Sequence, residues 1–119
     1  MNKKDVGILG EKLALNYLKK RGYKIVEKNY RCKAGEIDLV ATEKDYLVFI
    51  EVRTKTSSYF GRPSESITYV KKKKLITLAF TYLGAHYKIN TLWRIDFIAI
   101  ELDNNGVLKN IELIENAIS

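Results

Sequence analysis

Residues 35–55 read GEIDLVATEKDYLVFIEVRTK, and the fold turns on them. Two runs rich in Ile, Val, Leu and Phe, 36–42 and 47–53, flank Glu43-Lys44-Asp45, so the stretch reads as a β-hairpin. A tight loop around Lys44-Asp45 sets a register with Asp38 opposite Glu51 and Glu36 opposite Arg53. Facing residues have Cβ atoms about 4.5–5.5 Å apart. Two carboxylates that close repel, and burying a charge is costly unless something compensates it. A divalent cation is the simplest compensation, because hard cations take carboxylate oxygens. Asp38 and Glu51 are therefore candidate metal ligands, while Arg53 is placed for a cross-strand ion pair with Glu36. Ile37, Leu39, Ala41, Val48, Ile50 and Val52 line one side of the hairpin. Val40, Leu47 and Phe49 line the other, with the two carboxylates. Strands apolar on both faces belong inside a sheet covered by helices.

Upstream, residues 3–21 read as a helix. Asn2 can cap it, Asp5 suits its first turn, and Gly22 ends it. Val6, Leu9, Leu13 and Tyr17 form its apolar line. Glu11 is the misfit at the edge of that stripe, either an exposed boundary residue or a functional one. Gly7 and Gly10 beside it would let another chain segment come close. Residues 23–30 read as a strand, and 31–35 as a basic loop.

Downstream, residues 54–67 read as a surface loop whose Lys55, Tyr59, Phe60 and Arg62 mix cations with aromatics, as a nucleic-acid surface would. A second helix is expected over 69–83, capped by Thr68 and stopped at Gly84. Lys71, Lys72, Lys73 and Lys74 occupy its first turns against the helix dipole. They fit a solvated face, or a phosphate backbone nearby. Residues 93–101 alternate as a strand, Asp103-Asn104-Asn105-Gly106 is a turn, and 107–114 make a last strand. Asp96 reads as a structural partner of Arg94 or of a loop cation rather than as a metal ligand. The order α-β-β-β-α-β-β makes residues 1–119 one α/β domain with a mixed sheet.

The totals narrow the function. A chain of 119 residues suits one domain, and one this size buries about two thirds of its unfolded surface. No apolar run reaches the roughly 18 residues of a membrane helix, and the start lacks a secretory apolar core. With one cysteine no internal disulfide forms, which fits a reducing, cytoplasmic setting. One histidine disfavours His-based zinc sites and Ser-His-Asp chemistry. A net charge of +7 favours an anionic partner, nucleic acid first.

Asp38 followed by Glu51-Val52-Arg53 on the next strand resembles the PD-(D/E)xK signature of restriction-endonuclease-like nucleases. The wider series is more specific: Gly7-x-x-Gly10-Glu11-x-x-Ala14, Asn29-Tyr30-Arg31, Gly35-Glu36-Ile37-Asp38-Leu39-Val40, Phe49-Ile50-Glu51-Val52-Arg53, Gly61-Arg62-Pro63, Arg94-x-Asp96 and Ile114-Glu115-Asn116-Ala117. In that order it is similar to the small bacterial YraN-like family and covers nearly the whole chain. The resemblance implies a fold similar to archaeal Holliday-junction resolvases, often dimeric, and metal-dependent cleavage of DNA phosphodiesters. Asp38, Glu51 and the Val52 carbonyl would then hold Mg²⁺ or Mn²⁺, completed by Glu11. The nuclease pattern usually has lysine where this chain has Arg53, which stays protonated and cannot act as a general base. Arg53 can still supply charge and bidentate hydrogen bonds, and Arg53 or Lys55, two residues on, is expected to contact the developing oxyanion. Lys55, Arg62 and Lys71 to Lys74 are the expected contacts to nucleic acid. The second reading is a non-catalytic nucleic-acid-binding or scaffolding module that keeps the nuclease fold.

Overall fold

The computed structural model describes residues 2–56, 68–86 and 90–117. Its elements are α1 (Lys3–Lys20), β1 (Lys24–Cys32), β2 (Gly35–Glu43), β3 (Tyr46–Lys55), α2 (Tyr69–His86), β4 (Trp93–Leu102) and β5 (Leu108–Ile114). The strands form one mixed sheet in the order β1-β2-β3-β4-β5. Only β3 and β4 run parallel, because α2 intervenes between them; the other neighbours are antiparallel. This is the expected α/β order. Among the described residues, no helix is long and apolar enough to cross a membrane.

Each face of the sheet carries one core. Leu39, Ala41, Val48, Ile50, Ile98 and Ile100 pack with Ala14 and Leu18 of α1. Val40, Leu47, Phe49 and Ile95 pack with Leu75, Leu78, Ala79 and Tyr82 of α2. The hairpin strands are thus buried on both sides, as their double apolar pattern requires. Ile37 is the exception to the expected faces: it joins the α2 core rather than that of Leu39. The alternation running from Leu39 to Leu47 does not carry back past Asp38, where β2 stays with β1 and leaves β3.

Caps and turns follow local chemistry. Asn2 accepts the Asp5 N–H at 2.8 Å, and Thr68 accepts that of Lys71 at 3.1 Å. Gly22 ends α1 with φ +90°, a conformation that favours glycine. The Asp103 carboxylate accepts the Asn105 and Val107 N–H groups and fixes the β4–β5 turn. Three expected boundaries move. α2 runs through Gly84 to His86, whose ring stacks on Tyr82 at 4.2 Å and carries the helix past the glycine. The basic loop shrinks to Lys33-Ala34, because Cys32 already pairs with Gly35. β3 continues through Thr54 and Lys55, which pair with Ile100 and Glu101 of β4.

A buried polar network pins the sheet to its flanks. Asp96 is fully buried and accepts from the Tyr23 hydroxyl at 2.7 Å, Arg94 Nε at 3.0 Å and the Asn116 N–H at 2.9 Å. Arg94 also bonds Glu43 at 3.0 Å. Burial first, and Asp96 second, raise the Tyr23 hydroxyl far above its ordinary range, so it stays a donor. Asp96 is the structural partner of Arg94 that its place in a strand suggested.

Candidate functional site

The hairpin register matches expectation from Glu43–Tyr46 down to Leu39–Ile50, and there the ladder stops. Beyond it β2 stays paired with β1 as far as Gly35, and β3 stays paired with β4 as far as Lys55. The two middle strands therefore part, and Asp38 and Glu51 sit at the opening of the fork. Across it, the Asp38 carboxylate accepts the Val52 N–H at 2.8 Å. A side chain thus takes a backbone donor near the end of the ladder.

Glu51 is 8% exposed. Burial, then the charge of Glu51, push the Asp38 carboxyl from its ordinary 3.8 up to about 7, against the Val52 N–H, which lowers it. This is the electrostatic strain that the sequence placed on the hairpin. On the α2 side, Lys71 forms an ion pair with Glu51.

The other expected site residues disperse. Glu36 does not pair with Arg53; it meets Arg31 of β1 at 3.3 Å. The fork is the reason, since it keeps Glu36 opposite Arg31 and carries Arg53 away to lie beside Ala99 of β4. Arg53 is exposed. A cleft of about 770 Å³ opens between α1 and the end of β3. Glu11, Asp38 and Lys55 line it together, with Val52 and Thr54, whereas Glu51 and Arg53 do not. Glu11 accepts a long 3.4 Å bond from the Asn29 amide. Among the described residues, no group of three or more His, Cys, Asp and Glu side chains stands close enough to hold a metal ion. The three-carboxylate set of Glu11, Asp38 and Glu51 is therefore not gathered, although Glu11 and Asp38 share the cleft wall.

Gly10 and Gly7 play different parts. A Cβ on Gly10 would lie 1.9 Å from Thr54 Oγ1, so glycine there lets α1 press onto β3. A Cβ on Gly7 would meet nothing within 4 Å, and Gly7 lines the open cleft instead. Lys3 and Lys4 also line that cleft, a contribution missed in the sequence, where lysines at a helix start read as surface residues. Their signal was the dipole: cations in a first turn are unfavourable unless an anion comes near. Of the α2 lysines, Lys71 reaches Glu51, Lys73 lies 5.1 Å over the Tyr69 ring, and the stem of Lys74 lies by Gly35. Lys72 is half-buried. Arg62, with Tyr59, Phe60, Gly61 and Pro63, lies outside the described residues.

A mixed sheet flanked by two helices, with paired carboxylates where its middle strands part, defines a small α/β protein of nuclease-like architecture. Residues 10–100 match the family model described as "Uncharacterised protein family UPF0102". A UPF0102 protein of Caldanaerobacter subterraneus subsp. tengcongensis is 47% identical over 103 residues, covering 87% of this chain and 84% of the relative. A UPF0102 protein of Caldicellulosiruptor saccharolyticus is 39% identical over 117 residues, covering 98% and 99%. One from Clostridium botulinum strain Kyoto is 43% identical over 117 residues, covering 96% and 94%. The chain belongs to the UPF0102 family, the YraN-like group that its motifs resemble.

Proposed function

We propose that this protein is a metal-dependent nuclease acting on DNA phosphodiesters, with branched DNA of recombination or repair as its substrate class. The observation that carries the reading is the meeting of Asp38 and Glu51 at the strand fork, beside a cleft lined by Lys3, Lys4 and Lys55. Two adjacent carboxylates, one pushed toward protonation by burial first and by the other second, are a donor set that suits one Mg²⁺ or Mn²⁺ ion. Asp38, Glu51 and the Val52 carbonyl would hold it, and Glu11 would hold a water from the cleft wall. When bound, such an ion lowers the pKa of a water and stabilises charge on the phosphoryl oxygens. The chain's own residues do the rest. The Val52 N–H fixes the Asp38 carboxylate in one orientation. Lys55 approaches the scissile phosphate from the same cleft as Asp38 and supplies the charge that Arg53, on the exposed surface, does not bring there. Lys3 and Lys4 grip the neighbouring phosphate. Two copies would present two such sites to the two strands of a branched duplex.

Cleavage of branched and single-stranded DNA with Mg²⁺ or Mn²⁺ tests the reading. Wild type should cut, and Asp38→Asn and Glu51→Gln should lose activity. Uncut substrates, or equal cutting by the variants, would sink it. A second reading, a nucleic-acid-binding module without catalysis, is favoured by the absence of a three-ligand group among the described residues and by the exposed Arg53. It predicts no Asp38-dependent rise in melting temperature on adding Mn²⁺, because only an ion bound to the native state stabilises it.

A further inference from the structure

After Tyr69 and Val70, α2 carries four consecutive lysines in the first turns, where the helix dipole disfavours cations. Lys73 and Lys74 are exposed. Lys71 differs from them. Its side chain is 30% exposed, and its ammonium is ion-paired with Glu51, whose side chain is 10% exposed. Its backbone is fixed as well, since Thr68 caps its N–H at 3.1 Å. The lysine therefore reaches the fork from a helix start whose position is set by the α2 core.

A carboxylate oxygen engaged by an ammonium is withheld from any other cation. We propose that Lys71 is the built-in counter-cation of this site: it competes with a divalent ion for Glu51 and, once displaced, offers its ammonium to a substrate phosphate beside that ion. The proposal rests on the reading of Asp38 and Glu51 as ligands. It adds an ammonium from α2 to the one that Lys55 brings from β3. An ammonium has three donors and no acceptor, so when Glu51 turns to the ion it needs a new anion close by. A phosphate oxygen fits that need, and the site would then bind ion and phosphate better together than singly.

Calorimetric titration of the full chain with Mn²⁺ at low ionic strength tests the competition. Lys71→Met keeps the aliphatic stem and removes the charge, and its affinity should rise about tenfold, the scale of one close charge pair. Lys71→Arg keeps the charge and should bind as wild type does. Glu51→Gln should abolish binding with either residue at 71. A purely structural Lys71 would lower the melting temperature of Lys71→Met and leave its Mn²⁺ affinity unchanged. Equal affinities for wild type and Lys71→Met would overturn the competition while the ligand reading stands. Absence of Mn²⁺ binding in every protein would overturn both. Metal-free thermal melts verify folding of each variant, and Lys71→Gln replaces the Met variant if that one does not fold.

Discussion

At Asp38 folding and chemistry pull in opposite directions. Its carboxyl is pushed from 3.8 up to about 7, by burial first and Glu51 second. The unfolded chain releases that proton near the ordinary value, so between about pH 4 and pH 7 the native state holds a proton the unfolded state has lost. The stability this gives is full below the ordinary value and is lost as the pH climbs through about 7. Asp38→Asn cannot ionise and keeps an acceptor for the Val52 N–H. Without metal it should be more stable than wild type at pH 8 by on the order of 1–3 kcal/mol, with the difference closing toward pH 5. Thermal melts at the two pH values check this, and Mn²⁺ should stabilise wild type alone at pH 8. Asp96 presents the contrasting case of a buried carboxylate already supplied with donors. Removing it takes a buried acceptor from Arg94 Nε, the Tyr23 hydroxyl and the Asn116 N–H together, while Arg94 keeps Glu43, so Asp96→Ala should cost about 3–5 kcal/mol in urea unfolding. Tyr23→Phe, which removes one donor, should cost about 1–3 kcal/mol.

The two glycines of α1 separate helix propensity from packing. Gly7→Ala adds a methyl into open space and should stabilise by about 0.5–1 kcal/mol, the helix preference for alanine. Gly10→Ala drives a methyl into Thr54 and should destabilise by about 1–3 kcal/mol, with Thr54→Ala restoring part of the loss. Chemical denaturation of the four proteins measures both. The hairpin, both helices and the partnership of Asp96 with Arg94 were legible because they depend on local chemistry: turn residues, apolar period, caps, and a charge two residues from its opposite. The fork was not legible. A ladder ends where each strand gains more from its outer neighbour, and no residue between 36 and 53 announces that. From the missed fork follow the wrong pairing of Glu36 with Arg53 and the wrong face for Ile37. The reach of Lys71 was hidden for the same reason, since it depends on where α2 crosses the sheet. Within a run of four lysines, sequence gives all members the same aspect.

Across the whole molecule the net charge of +7 is spread, yet the cleft gathers Lys3, Lys4 and Lys55 from two elements distant in sequence. If phosphates lie along it, affinity for DNA should fall steeply with salt. Replacing these three lysines by glutamine should reduce the slope of log K against log salt by about 2–3, roughly one for each phosphate no longer neutralised. Fluorescence anisotropy over a salt series gives the slope, and replacement of the exposed Lys109 serves as a control that should leave it unchanged. The hairpin turn at the other end of the same two strands has a practical use. Lys44 and Asp45 are exposed, and Lys44 already adopts φ +54°. At about 3.4 Å per strand residue, Glu43 stands about 17 Å from Asp38. A fluorophore or affinity peptide spliced between Lys44 and Asp45 would ride on the exposed turn of the paired β2–β3 ladder, clear of the fork, and give this protein an optical handle with its carboxylates undisturbed.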